Sequence, residues 1–179
     1  MKHRTNEEPK RKLAQDRANG MGEIDWAKYI HESNLIEGYN SEEADKCLGE
    51  AWNYLSKQTK LTHGKIKTAQ RLATNHQTDL KSNWRGQYRR IPVWIAGREA
   101  PSFGLVPHLM ENWLLDYADW EKEFDPLYAH ILFEKCHGFV DGNGRTGRLI
   151  LWWHQIRKGQ EPTLFKNSEK HEVYYPLFR

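Results

Sequence analysis

The sequence predicts an all-α, mainly helical bundle that carries one short β-hairpin, and three observations support that class. Apolar side chains recur at three- and four-residue spacings in successive segments, as in Val106, Met110, Trp113, Leu114 and Tyr117. Helix-start residues stand where such stripes begin, with Ser41 ahead of Glu42 and Glu43, and Asp125 ahead of Pro126. The stretch Trp84–Gly97 instead alternates β-branched and aromatic residues, and Pro92 within it rules out a central strand.

In chain order, residues 1–22 gather Lys2, Arg4, Lys10, Arg11 and Lys12 against Glu7 and Glu8. Without interleaved aromatics, this basic arm reads as a solvated tail rather than a nucleic-acid contact. Gly20-Met21-Gly22 interrupts it, and residues 23–179 then form one domain, for which 38% hydrophobic content and eight Trp supply a core. Glu23–Glu37 reads as a helix with Trp26, Ile30, Ser33 and Glu37 on one face and Gly38 as its stop. Ala44, Cys47, Leu48, Ala51, Trp52 and Leu55 make the stripe of a second helix, and Ile66, Ala69 and Ala73 that of a third, which starts at Thr62 and ends near His76. His63 and His76 lack partners at ligand spacing and read as surface or satisfied histidines. Pro162, Phe165, Tyr174, Tyr175 and Phe178 suggest a last short helix on the bundle.

Between Asp125 and Ile156 the order is helix, glycine-rich loop, helix. The first helix pairs Leu127 with Ile131 and Leu132 with Cys136; the second, amphipathic through Leu149, Trp152, Trp153 and Ile156, begins close to Arg145. The loop, His137-Gly138-Phe139-Val140-Asp141-Gly142-Asn143-Gly144-Arg145, is too polar and too flexible for a core. Its glycines can turn backbone N–H groups inward, and the following helix adds unpaired donors and partial positive charge, which together make an anion cradle. Arg145 and Arg148 can add charge-assisted bonds to phosphate. Asp141 is a hard oxygen ligand of the kind that holds phosphate-bound Mg²⁺, and His137, with an ordinary pKa of ~6.5, can take a proton from a hydroxyl near neutral pH.

This segment resembles the signature of the Fic family, HxFx(D/E)GNGRxxR, at His137, Phe139, Asp141, Gly142, Asn143, Gly144, Arg145 and Arg148. The resemblance implies a Fic-type helical bundle that transfers AMP from ATP to a Ser, Thr or Tyr hydroxyl of a target protein. His137 would be the general base and Asp141 the Mg²⁺ ligand; Gly142, Asn143, Gly144, Arg145 and Arg148 would bind the nucleotide phosphates. Gly138 departs from the family's usual Pro. Gly144 is intact where a kinase-like branch carries lysine, which favours AMP transfer. Ser33-Asn34-Leu35-Ile36-Glu37-Gly38 looks like the family's inhibitory motif, (S/T)xxxE(G/N), and implies that Ser33 and Glu37, on a helix over 23–37, act as an intramolecular brake on Arg148. The Trp84–Gly97 region stands where the family has its flap, with Gly86, Tyr88, Arg89, Val93 and Ile95 matching; Ile91 and Val93 are the residues expected to dock the target.

Two alternatives stay open: removal of AMP, with Glu37 orienting water, and a nucleotide-binding regulator with negligible turnover. Cys47 and Cys136 suggest neither a disulfide framework nor a zinc site, and a cytoplasmic location is expected. No apolar run reaches the ~18 residues of a membrane span. The expected partners are ATP and a hydroxyl-bearing target protein; membrane binding is not expected, and a homo-oligomer is left open.

Overall fold

Residues 23–95 and 97–178 are described by the computed structural model, and the basic arm over 1–22 lies outside them. Helix α1 (Trp26–Ile36) is capped by Asp25, whose carboxylate accepts from the Lys28 N–H, and stops at Glu37. It begins three residues later than Glu23 because the capping carboxylate stands at Asp25. Its inner face is partly polar: Ser33 and Asn34 are buried beside Ile30 and Ile36. Asn34 Nδ2 donates to Asp45 Oδ1 at 2.8 Å and His31 Nδ1 pairs with Asp45 Oδ2 at 2.8 Å, which pins α1 to the next helix.

Helix α2 (Glu42–Ser56) is capped by Ser41 and buries the stripe Ala44, Cys47, Leu48, Ala51, Trp52 and Leu55. Helix α3 (His63–Ala73), capped by Thr62, buries Ile66, Ala69 and Ala73 together with Gln70, and packs extensively on α2. Helix α4 (Val106–Tyr117) carries Pro107 in its first turn, where the missing N–H costs nothing, and buries Val106, Met110 and Trp113. Helix α5 (Pro126–Cys136) starts on Asp125, as the sequence predicts.

Helix α6 (Asn143–Arg157) is the centre of the molecule. Twelve of the thirteen positions from Asn143 to Gln155 are buried, Gly144 being the exception. The expected amphipathic helix starting near Arg145 is therefore corrected on two counts: it starts at Asn143, and it is enclosed on all sides by α2, α3, α5 and α1. A helix wrapped all round has no polar face; the polar residues at its start build the site, whereas His154 and Gln155 near its end bond to Tyr117 and Thr163. Trp152, Trp153 and Leu149 fill the main core with Phe133, Leu48 and Leu55.

The hairpin is real but displaced from the span read in the sequence. Its strands are β1 (Trp94–Ile95) and β2 (Arg98–Glu99), antiparallel, with Trp94 opposite Glu99 and Ile95 opposite Arg98. The Ala100 N–H donates to the Val93 carbonyl at 2.9 Å, extending the ladder by one rung. Residues 85–93 run as an irregular approach that follows a 3₁₀ turn at Ser82–Trp84. After α6 the chain passes Phe165 and ends in short helical turns, Asn167–Glu169, Lys170–Tyr174 and Tyr175–Phe178. There Phe165 and Tyr174 form a second apolar cluster with Ile36 of α1 and Leu151 of α6.

Candidate active site

The site begins where α5 ends. His137 closes that helix in the left-handed conformation, at φ 45° and ψ 57°, and among the described residues it alone of the non-glycines has positive φ. Strain of this kind persists only where the surroundings fix it. Here Arg89, 2% exposed, supplies that fixing: its Nε donates to the His137 carbonyl at 2.7 Å and its N–H to the Gly138 carbonyl at 2.9 Å. The same guanidinium reaches the Ile91 carbonyl at 3.3 Å and the Pro101 carbonyl, so one buried arginine ties the hairpin to the base. Burial pushes the His137 imidazole below its ordinary pKa, aided by the Arg89 charge and opposed by a hydrogen bond to the Glu134 carbonyl and by Glu37 and Asp141. The ring is thus neutral at pH 7 and able to accept a proton.

Between His137 and α6 the chain makes a tight loop stapled by Asn143. The Asn143 Oδ1 accepts from the Phe139 N–H and its Nδ2 donates to the Phe139 carbonyl, each at 2.9 Å. The amide side chain is therefore committed to the loop, and the group Asn143 leaves open to a ligand is its backbone N–H. Gly142, at φ 76°, precedes the helix without a side-chain cap, so the first-turn N–H groups of α6 have no capping acceptor. A Cβ at Gly142 would also overlap the Thr74 methyl. Asp141, 44% exposed at its side chain, accepts from the Gly142 N–H and from Gln77 Nε2 and lies 3.6 Å from Arg145 Nη2. Gln77 donates to the Tyr39 hydroxyl as well, which links the carboxylate to the segment just after α1.

Arg145 and Arg148 are 0% and 1% exposed, and they diverge from the first two turns of α6. Arg145 faces the end of α3: Nη1 donates to the Ala73 carbonyl at 3.4 Å and meets His76 Nε2 at 3.3 Å, while its guanidinium carbon lies 4.5 Å from the Tyr39 ring centre. Arg148 faces α1: Nε donates to Ser33 Oγ at 2.8 Å, and Nη2 donates to the Ser33 carbonyl at 2.8 Å and to Glu37 Oε1 at 2.7 Å. Glu37, 30% exposed at its side chain, sits directly over the start of α6, where a Cβ at Gly144 would overlap its carboxylate. Only a glycine leaves that space free for an anion.

Several atoms of this region are buried without a hydrogen-bond partner: Arg145 Nε and Nη2, and Arg148 Nη1. Together with the open amides and the glycine-walled space, they fit a polyphosphate. The described residues hold no group of three His, Cys, Asp or Glu side chains suited to a metal ion. Mg²⁺ bound through one carboxylate and substrate phosphates needs no such group, and half-exposed Asp141 fits that use.

The fold thus brings His137, Asp141, Gly142, Asn143, Gly144, Arg145, Arg148, Ser33 and Glu37 to one place. Ile91, 37% exposed, and partly buried Val93 lie on the approach to the hairpin, outside its paired strands. Sequence reasoning did not single out Tyr39, His76, Gln77 and Arg89 as site residues. His63 is satisfied elsewhere, between the Tyr88 hydroxyl at 2.8 Å and Glu111 at 2.6 Å.

In this helical bundle an imidazole thus stands beside an amide cradle and two buried arginines, a donor set suited to an anion. Comparison with known proteins gives its kin: the Fic/DOC family matches residues 60–154, and the chain belongs to that family. The protein adenylyltransferase Fic of Drosophila persimilis is 31% identical over 99 residues, 51% of this chain and 19% of that protein. That of Drosophila willistoni is 30% identical over 99 residues. The chain spans about a fifth of the length of these curated relatives, 19% and 20%. Among solved structures, a Fic-domain signalling protein from Bacteroides thetaiotaomicron superposes with a TM-score of 0.70 at 18% identity, covering 94% of this chain and 80% of that one. Fic-1 from C. elegans superposes with a TM-score of 0.68 at 18% identity, covering 94% and 61%. These likenesses show a shared fold.

Proposed function

We propose that this chain is an autoinhibited protein adenylyltransferase, which transfers AMP from ATP to a hydroxyl side chain of a target protein. The single observation that carries the reading is the Glu37–Arg148 contact laid over the open N-terminus of α6. A carboxylate there occupies the space and the guanidinium that the far end of a triphosphate would use. Relatives that bear the adenylyltransferase name support the reaction class.

In the released state His137 takes the proton of the target hydroxyl, and the oxygen attacks the α-phosphorus. A new O–P bond forms as the bond to the bridging oxygen breaks, and pyrophosphate leaves against Arg145, Arg148 and the α6 amides. Positioning and electrostatic stabilisation do most of this work. Asp141 would hold the Mg²⁺, which supplies charge neutralisation at the phosphates. The hairpin, fixed to His137 through Arg89, would register the target segment along its exposed edge near Ile91 and Val93.

The test is Glu37→Gly protein incubated with ATP labelled at the α-phosphate and Mg²⁺. Higher incorporation than by the unchanged protein is expected, and equal labelling of the two removes the brake. A second reading, hydrolytic removal of AMP, uses the same carboxylate, with Glu37 orienting the attacking water from its place over the start of α6. On that reading Glu37→Gly abolishes release of AMP from a modified protein, whereas on the first it increases attachment.

A further inference from the structure

We propose that Tyr174, in the C-terminal segment, is a positioning residue for Arg148: its ring holds the guanidinium in phosphate-binding orientation once α1 has moved away. The inference rests on the functional reading above and deepens it.

The two arginines differ in what release would leave them. Arg145 keeps the Ala73 carbonyl and His76 whether or not α1 is docked. The three hydrogen bonds of Arg148 all go to Ser33 and Glu37, and its Nη1 has none. Moving α1 out therefore removes these three hydrogen bonds to the guanidinium. A long side chain freed in this way spreads over several rotamers, and a triphosphate would have to re-order it on binding.

Two neighbours outside α1 stay with Arg148: Glu134 of α5, whose buried carboxyl feels the guanidinium charge, and the Tyr174 ring. The Tyr174 ring centre lies 5.0 Å from its guanidinium carbon, within the range of a cation–π interaction, and Tyr174 is only 3% exposed. The ring is held by groups outside α1: Phe165 at 4.7 Å, Phe178 at 5.0 Å, and His130 of α5, whose Nε2 is 3.3 Å from the Tyr174 hydroxyl. Burial keeps His130 neutral, with its pKa pushed down to about 3, so it adds no competing charge beneath the arginine. The same segment also touches the end of α1, through Lys170 and Tyr175 on the Ile36 carbonyl at 3.3 Å each and through the Asn167 N–H on Glu32 at 2.7 Å. The C-terminal segment thus reaches both partners of the brake, and Tyr174 is its contact with the arginine that stays.

The experiment uses full-length Glu37→Gly protein and measures affinity for ATP, ADP and AMP. In that background Tyr174→Phe keeps the aromatic face and should leave the ATP-to-ADP preference within about threefold. Tyr174→Leu and Tyr174→Met fill the space without a π face, and each should lower that preference roughly tenfold, as expected for a desolvated cation–π contact. AMP affinity should stay unchanged, which a merely structural defect would not allow. Should Leu fail to fold, Met carries the test. An unchanged ATP-to-ADP preference in folded Leu or Met protein overturns the role, as does a parallel fall for all three nucleotides. A Glu37→Gly protein with no preference for ATP over ADP overturns the functional reading itself, and the Tyr174 role with it.

Discussion

Ser33→Ala isolates one bond of the proposed brake. In the resting arrangement Ser33 Oγ accepts from Arg148 Nε at 2.8 Å, with both residues 1% exposed. A hydrogen bond to a charged group is worth about 1.5–3 kcal/mol, and its loss here leaves a buried guanidinium N–H without a partner. The penalty falls on the docked state alone, because released α1 no longer meets the arginine. At about 1.4 kcal/mol per tenfold, the lower bound shifts the docked-to-released ratio by roughly one order of magnitude. Apparent affinity follows the fraction of competent protein, so it should tighten about tenfold for a triphosphate. The Ser33 carbonyl bond and the Glu37 contact remain, so Glu37→Gly should tighten binding further. The assay is calorimetric titration with an ATP analogue that cannot be cleaved at the α-phosphorus, with ADP in parallel. Affinity within twofold of the unchanged protein would refute the reasoning, and equal tightening for ADP would show that the clamp does not act at the third phosphate.

Two further outcomes follow from buried ionisable groups. Because burial lowers the His137 pKa and Glu37 raises it, Glu37→Gly protein should have a still lower pKa at His137. Its labelling rate should hold below pH 6.5 and fall only in more acidic buffer as the base takes up a proton; initial rates between pH 4.5 and 8.5 check this, and an acid limb at or above 6.5 contradicts it. Burial pushes the Glu134 carboxyl up to about 8, against the opposing pull of Arg148. Raised above its unfolded value, it contributes stability that is full below about pH 4.5 and lost as pH rises through about 8. Glu134→Gln should remove that slope and gain on the order of 4 kcal/mol over the unchanged protein by pH 8, at 1.36 kcal/mol per pKa unit. Denaturant unfolding at pH 5 and pH 8 measures it, and parallel stability curves would refute it.

How much was legible in the sequence varied with how local the determinant is. The α2 stripe is buried residue for residue as its spacing predicts, because one face of a surface helix writes itself into a 3.6-residue period. Helix α6 is wrapped on every side, so its apolar period marks one face and leaves the burial of the others without a signal; its start lies two residues before Arg145 because Gly142, with no side chain to cap, is a weak start marker. Residue type locates the hairpin, but its strands lie at Trp94–Ile95 and Arg98–Glu99, at the end of the alternating stretch, and Gly97 between them takes φ 80°. Within the site, the loop from His137 to Arg148 is contiguous and could be read directly. Arg89, Gln77, Tyr39 and Tyr174 reach it from 48, 64, 106 and 26 residues away, in contacts to His137, Asp141, Arg145 and Arg148 that leave no local pattern.

Putting phosphate recognition and the central core on one helix binds their evolutionary fates together. Arg145 and Arg148 share α6 with Leu149, Trp152 and Trp153, so a methylene lost on one side can tilt the guanidinium groups on the other. On the proposed reading, a lineage of such proteins could tune its target along the hairpin, whereas drift in this one rod would trade folding against chemistry at nearly every step.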